Sequence, residues 1–410
     1  MRILLLTQWF QPEPNFKGLP LAKALRARGH DVEVLTGFPN YPGGKLYPGY
    51  RIKFWNRETM DGIVVNRTIL YPSHDQSALR RILNYTSFAI SSMLFSFWLR
   101  RPDVVYVYCP PMTAAAGAIA LRIFRKVPYV IDIQDLWPDT VASTGMVKSG
   151  LIMRLVGAWS AFAMRHANAL IVLSPGFKRR LLERQVACPI HVIPNWAPPE
   201  IEEQAKSLPA KTPSNGTALN ILFAGNMGKA QALETVISAA QRLICEAPLI
   251  RFTFIGDGVD VEALRAASRA AGAGNIVFLP SRRVTDMAPV FAEADALLVH
   301  LRDDPLFLIT IPSKTQAYLA MGRPILMGVK GDAADMVKAA AAGITFEPEN
   351  ADSLAEAAIA LSRMSSGARA EMGRAGAAYY QQHLSFERGT ASLEKVLAVT
   401  AATANEPFRP

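Results

Sequence analysis

Apolar and polar positions follow a repeating order along most of this 410-residue chain. Short apolar runs, of a length suited to buried strands, are each followed by turn residues and then by a stretch of helical period. Ile3 to Thr7 is the first such strand, Gln11 to Gly18 supplies the turn, Leu19 to Arg28 reads as a helix closed by Gly29, and Val32 to Thr36 is the next strand. Strands are expected again at 104–108, 129–133, 169–173 and 191–193, separated by an alanine-rich helix ending near Phe124, a helix over 151–166, and one opening at Ser174, Pro175 and Gly176. The segment Phe38 to Tyr50 holds too much Pro and Gly for regular structure and reads as a long surface loop. Pro198 to Thr217, rich in Pro, Lys, Ser and Gly, reads as a linker, after which strands are expected at 221–224, 251–255, 276–279, 296–301 and 325–327. Such alternation calls for parallel sheets covered by helices, and the length exceeds what one core serves. The expected fold is α/β, with two doubly wound, Rossmann-like domains facing across a cleft. They occupy residues 1–197 and 218–385, joined by the linker 198–217. Residues 386–410 are a C-terminal helix and tail, with a crossing back to the first domain as one option.

One stretch breaks the pattern. From Ile82 to Leu99 eighteen residues carry no charge, bracketed by Arg80, Arg81, Arg100 and Arg101. A helix of that length spans roughly 27 Å, but Asn84, Ser87, Ser91, Ser92 and Ser96 make it too polar to cross a bilayer. It is either a buried helix with its small polar residues packed inward or an interfacial helix with aromatic and basic flanks. Partial membrane contact through Phe95, Phe97 and Trp98 is favoured.

Candidate chemistry gathers at the strand ends, where open α/β sheets place ligands. The first βαβ turn lacks G-x-G-x-x-G, which argues against a nicotinamide enzyme, and Gly18 there serves either ligand approach or a plain turn. Asp132, Asp135 and Asp139 gather at the carboxyl end of the strand 129–133, with at least one of Asp135 and Asp139 expected to cap the next helix. In the second half, Gly225, Asn226, Met227, Gly228 and Lys229 form a glycine-containing turn with a lysine at its rim. Gly256, Asp257 and Gly258, and then Pro280 to Arg283, follow the next strands. In Ile311 to Pro324, IPSKTQAYLAMGRP, Ser313 and Gln316 match a capping box and Gly322 with Pro324 supplies the stop. A helix start there, with Lys314 beside it, suits a phosphate as well as it suits an ordinary capped connection.

Charge sharpens the division between the halves. Residues 1–200 hold 24 Lys and Arg against 12 Asp and Glu, the remainder 20 against 22, so the first half carries the whole excess. An anionic partner is expected for it, and the lack of a nucleic-acid module favours a membrane surface over nucleic acid. Cys109, Cys188 and Cys245 are far apart and odd in number, so neither a disulfide nor a zinc site is expected. The start, MRILLLTQWF, is too short in its apolar run for a signal peptide and reads as a buried strand.

The segments FAGNMGKAQALETVI (223–237), IGDG (255–258), IPNW (193–196), DLWPD (135–139) and IPSKTQAYLAMGRP together resemble retaining glycosyltransferases of family 4 with the GT-B fold. The likeness covers nearly the whole chain and is closest to bacterial enzymes that extend lipid-linked sugars for O-antigen, capsule or exopolysaccharide. It implies a nucleotide-sugar donor, UDP-linked by preference, held by the second domain, and a polyprenyl-diphosphate-linked saccharide held by the first. It implies no cofactor. No Asp-x-Asp motif appears, so cations and a helix end are expected in place of a metal. Asp135, Lys229 and Lys314 are the expected catalytic residues, with the Lys314 and Thr315 amides as further donors to the departing phosphate. Gly18, Gly225, Asn226, Gly228, Gly256, Asp257, Gly258, Arg282, Ser313, Thr315 and Gln316 are expected around the donor. The arginines at 80, 81, 100 and 101 with Phe95, Phe97 and Trp98 would meet the membrane and acceptor, placing the protein peripherally on the inner face of the plasma membrane.

Three departures from the family pattern involve four positions. Its glutamate pair falls on Ile309 and Ala317, its arginine on Asn226, and its histidine on Gln134. A nucleotide-sugar epimerase of the same fold and a non-catalytic glycolipid-binding scaffold therefore stay open beside the transferase.

Overall fold

A computed structural model describes residues 1–73, 78–140, 150–208 and 218–403. Contacts divide the chain into two compact units, Met1–Pro194 with Thr390–Pro410, and Asn195–Gly389. The first unit carries an eight-stranded sheet of order β3-β4-β2-β1-β5-β6-β7-β8. Its strands are β1 Arg2–Leu6, β2 Asp31–Gly37, β3 Trp55–Met60, β4 Ile63–Thr68, β5 Val104–Cys109, β6 Tyr129–Ile133, β7 Ala169–Val172 and β8 Ile190–Val192. Neighbours pair in parallel except β3 with β4. β5 and β6 are buried throughout, which is why VVYVYC and YVIDI are unbroken by charge except at Asp132.

Helices α1 Leu19–Ala27, α2 Ala78–Phe95, α3 Ala116–Arg125, α4 Gly150–His166 and α5 Pro175–Glu183 link these strands. Passing from β4 to β5, β6 and β7 the chain moves one way across the sheet, so right-handed crossovers set α2, α3 and α4 on one face. α1 runs the other way and lies on the opposite face. There it meets the chain's last helix, Phe386–Thr403: Arg28 pairs with Glu394 at 3.0 Å and His30 with the same carboxylate at 2.8 Å.

α2 separates its two faces. Asn84, Phe88, Ser91, Ser92, Phe95 and Ser96 face the protein, with the Asn84 amide joining Gln8 and the Tyr71 carbonyl. Leu79, Leu83, Ile90, Met93 and Leu94 face solvent. The small polar side chains pack inward and the large apolar ones point outward. Phe95, expected at a membrane, is instead buried against Phe54, Trp55 and Trp98, because it falls on the inward stripe. Trp98 is exposed, and Phe97 is half-buried against Phe124. No helix among the described residues is long and apolar enough to cross a membrane.

The second unit carries a parallel six-stranded sheet of order β11-β10-β9-β12-β13-β14, made of β9 Leu219–Ala224, β10 Ile250–Ile255, β11 Ile276–Leu279, β12 Ala296–His300, β13 Ile325–Gly328 and β14 Gly343–Thr345. Its helices are α6 Pro199–Ser207, α7 Glu234–Glu246, α8 Val261–Ala270, α9 Met287–Glu293, α10 Ser313–Ala320, α11 Asp332–Ala339, α12 Ala351–Arg363 and α13 Ser366–His383, followed by α14, the helix Phe386–Thr403 already met. The expected linker is in part this unit's structure. Pro at the first helical position opens α6, Ile201 enters the core, and Glu202 accepts from Tyr380 and the Phe386 amide. The rest of it, 209–217, and the expected tail from 404 lie outside the described residues. In each sheet the strand order reverses beside the first strand of the unit, at β1/β5 and at β9/β12. Those two reversals are where a doubly wound sheet opens a crevice at its carboxyl edge.

Candidate active site

The β9/β12 reversal places the Gly225 turn. β9 and β12 pair only as far as Leu222 with Leu297, and beyond that point the Ala224 amide donates to the Tyr318 hydroxyl of α10 at 3.1 Å. The turn rests backbone to backbone on the next loop. Gly225 N–H donates to the Ile255 carbonyl and Met227 N–H to that of Asp257, at 2.9 and 2.8 Å. A Cβ on Gly256 would fall 1.9 Å from the Gly225 oxygen, and one on Gly258 2.2 Å from that of Met227, so both must be glycine. GNMG and GDG thus form one substructure, with the Asp257 carboxylate accepting from its neighbour Gly258 N–H. Gln231 holds the far side by accepting from Gly228 N–H and the Asn226 amide. His300 fixes the turn from below: its Nδ1 meets the Gln231 carbonyl at 2.7 Å and its Nε2 accepts from Glu349 N–H. Those partners fix the neutral tautomer, and burial lowers its pKa.

Lys314 enters this substructure from the start of α10. The residue as a whole is half-exposed, yet its ammonium nitrogen has no solvent-accessible surface and no hydrogen-bond partner among the described residues. It lies over the Phe223 ring, 3.8 Å from the centroid, and a Cβ on Gly225 would come within 3.3 Å of it. Burial pushes its pKa down to about 7. The neighbouring Thr315 hydroxyl is buried and also lacks a partner. A lone buried cation and a lone hydroxyl at a helix start are what an anionic ligand would complete.

The start of α10 differs from expectation in two respects. Its N-cap is Pro312, which has no N–H for a capping box to satisfy, and Ser313 is the exposed first helical residue with no capping bond. Gln316 is buried, its amide nitrogen turned to the Pro312 and Ser313 carbonyls at 3.0 Å each. The Thr315 amide, expected as a donor to ligand, is spent on the Pro312 carbonyl at 2.9 Å, so the Ser313 and Lys314 amides are the ones left over among the described residues. Lys229 is exposed and lines a cavity of about 350 Å³ whose walls also carry Glu234, Asp260, Arg302 and Glu349, so its charge stands among carboxylates. Arg282 is exposed in the loop after β11.

In the first unit the structure separates the three aspartates. Asp132 is fully buried, bonded by Lys17 at 2.7 Å, Tyr106 at 2.6 Å and the Gln134 amide at 2.5 Å. Asp139 receives Arg184 on both oxygens at 2.6 Å. Asp135 alone has no hydrogen-bond partner for its carboxylate among the described residues, and burial pushes its pKa up to about 6. Burial first, and the Asp135 charge after it, raises the phenol of Tyr41; for Tyr108 burial leads, followed by the charges of Asp132 and then Asp135. Tyr41 stacks on Trp9 with centroids 4.2 Å apart, and Tyr85 leans on Trp137 at 6.3 Å. Beneath them the buried Glu13 carboxylate accepts from the amides of Phe10, Asn40 and Tyr41, tying two loops together, though burial still raises its pKa to about 7. Gly18 belongs to this unit, where it packs on the Gln11 side chain. Sequence reasoning missed Phe223, Gln231, His300, Tyr318 and Glu13. A buried His after an apolar strand is a weak signal for one of them, and nothing local marks the others.

A family model of the glycosyl transferase 4-like domain matches residues 19–196, and one of glycosyl transferases group 1 matches 218–364. The chain is 28% identical over 338 residues to WcaI of Escherichia coli strain K12, named for a glycosyl transferase role in colanic acid biosynthesis, covering 78% of this chain and 82% of that protein. It is 26% identical over 239 residues to WbjE of Pseudomonas aeruginosa, named as a glycosyltransferase, covering 55% and 57%. Among solved structures, the E. coli trehalose-6-phosphate protein with bound UDP-2-fluoro glucose matches with a TM-score of 0.70 and 12% identity, each chain covered in full. Two α/β units, each matched by its own glycosyl transferase model, and the two glycosyltransferase relatives establish that this chain belongs to the family 4 glycosyltransferases of GT-B fold.

Proposed function

We propose that the protein transfers a hexosyl or N-acetylhexosaminyl group from a UDP-sugar to a polyprenyl-diphosphate-linked saccharide in the synthesis of a bacterial surface polysaccharide, with retention and without a metal ion. The observation that carries this reading is the buried Lys314 ammonium beside the Gly225 turn, with no hydrogen-bond partner among the described residues. In the step itself the bond from the anomeric carbon to the β-phosphate oxygen breaks, and positive charge grows on the sugar while negative charge grows on the diphosphate. A fixed cation, the Ser313 and Lys314 amides and the Thr315 hydroxyl meet that negative charge without reorganising, usually the largest catalytic term. The acceptor hydroxyl bonds to the anomeric carbon from the leaving-group side and its proton passes to the departing phosphate. Asp135, its carboxylate not engaged by hydrogen bonds among the described residues, orients the acceptor hydroxyl.

Several features support the finer points. The fold neighbour solved with UDP-2-fluoro glucose favours a uridine donor, and WcaI's name favours polysaccharide synthesis. The outward apolar face of α2, flanked by Arg80, Arg81, Arg100 and Arg101, favours a peripheral seat at the inner face of the plasma membrane, where a polyprenyl carrier would be met. Incubation with lipid-linked acceptors and a panel of nucleotide sugars in the presence of EDTA, with products read by mass spectrometry, tests the proposal. A lipid-linked product one sugar longer is expected. Release of free sugar or an epimerised donor, or no nucleotide binding at all, would overturn it.

A further inference from the structure

The exposed apolar side chains of the first unit are not confined to α2. On α4, Leu151, Leu155, Ala158 and Phe162 follow the i, i+4, i+7, i+11 spacing of a single helical stripe, and all four are exposed, Leu151 at 68% and Leu155 at 62%. α3 is buried from Ala116 to Leu121, yet Ile123 and Phe124 at its end are exposed, Phe124 at 73%. The three helices share one face of the sheet. α3 packs closely on α2, where a Cβ on Gly117 would lie 3.0 Å from the Ser92 carbonyl, and the turn just after α2 meets the end of α3 through Phe97 and Phe124, centroids 5.8 Å apart. Trp159 of α4 donates to the Met112 carbonyl, just before α3, at 3.1 Å.

We infer that α2, α3 and α4 together form one seat for an anionic lipid bilayer, which rests on the membrane-associated reading above and extends it from one helix to three. Charge decides the occupant. Residues 78–101, 112–126 and 150–166 hold nine Lys and Arg and no Asp or Glu. Apolar side chains projecting from three helical segments that carry basic residues and no acidic ones suit acyl chains below anionic headgroups. They suit a second copy of this chain poorly, since an isologous contact would bring two cationic faces together.

Flotation with vesicles of phosphatidylcholine alone, and of phosphatidylcholine mixed with phosphatidylglycerol, tests the seat. Full-length protein is expected to float with the anionic vesicles and much less with the neutral ones. Exchanging Phe124 and Leu155 together for Ser should lower the partition onto anionic vesicles about tenfold or more, as should Ile90→Ser with Leu94→Ser. Arg154→Glu with Arg165→Glu, which removes no apolar group, should lower it on anionic vesicles only and guards against misfolding in the Ser variants. A thermal shift with UDP checks that each variant retains the second unit's site. If the Phe124/Leu155 variant binds like wild type while the Ile90/Leu94 variant does not, the three-helix seat falls and the single-helix reading stands. If wild type floats with neither vesicle, or forms a dimer that Phe124→Ser dissociates, both fall. Equal flotation with both vesicles overturns the charge assignment.

Discussion

The Lys314 ammonium sits 3.8 Å from the centre of the Phe223 ring, held by the end of the strand that leads into Gly225. The ring face offsets part of the cost of burying that charge, but no hydrogen bond among the described residues offsets the rest. Such a group is stabilising only when its ligand arrives. Lys314→Met should therefore raise the melting temperature of the ligand-free protein by a few degrees while lowering kcat/KM about 10²- to 10³-fold. Thermal scans with and without UDP, beside the transfer assay, would show it, and a variant both less stable and fully active would remove Lys314 from the donor site.

The same residue predicts a pH dependence. Its pKa is about 7 in the folded protein against 10.5 for a freely solvated lysine, so between those values the unfolded chain holds more protons than the folded one. Stability of the ligand-free protein should gain from this group as pH rises from about 7 towards 10.5, the opposite of what an ion-paired lysine gives. A diphosphate restores the proton. Binding of UDP near pH 8 should take up protons, seen as calorimetric heats that vary with the buffer's ionisation heat, and affinity should fall as pH rises above about 7. Heats independent of buffer would count against a neutral Lys314 in the free protein.

Period and turn residues made the α/β alternation legible, because a parallel strand buried on both faces leaves an unbroken apolar run such as Val104–Cys109. The β3–β4 hairpin has only a short signal, Asp61-Gly62, whose φ values of 48° and 81° suit a type I′ turn, and its half-polar strand WNRETM resembles loop. At the site, glycines announced themselves, since close backbone approach leaves no other residue possible. What sequence could not disclose is which charged groups are already paired: three aspartates lie in or just after β6, and only three-dimensional placement spends Asp132 on Lys17 and Asp139 on Arg184, leaving Asp135. The inward and outward faces of α2 were likewise hidden, because its serines give no hydrophobic contrast until the sheet is known.

Asp135→Asn keeps the shape and removes the charge. Because burial holds the carboxyl near 6 against 3.8 for a freely solvated aspartate, the folded protein binds more protons between those values, and the group's contribution to stability declines as pH rises through that window. The Asn variant should be the more stable protein at about pH 7 and lose that advantage at about pH 4. Transfer should fall about 10²-fold or more, with the acidic limb of the pH profile near 6 abolished and UDP affinity unchanged, since the residue belongs to the other unit. An unchanged limb would place the titrating group elsewhere, with Glu13, near 7, the next candidate.

Gly256 joins the two glycine loops at a distance no side chain tolerates. Its φ of 152° and the 1.9 Å that would separate an added Cβ from the Gly225 oxygen mean that Gly256→Ala must push the Gly225 turn away from β10. The expected cost is roughly 2–4 kcal/mol of stability. The displacement would also break the Gly225 N–H bond to Ile255 and move the turn relative to Lys314, so UDP binding should weaken more than stability alone explains. Gly272→Ala, at a φ of 64° with open space around the new Cβ, is the matched control: it carries backbone strain without touching the turn. If both variants lose stability but only Gly256→Ala loses UDP, the loop junction positions the donor. If both bind UDP equally, the turn does not contact the nucleotide.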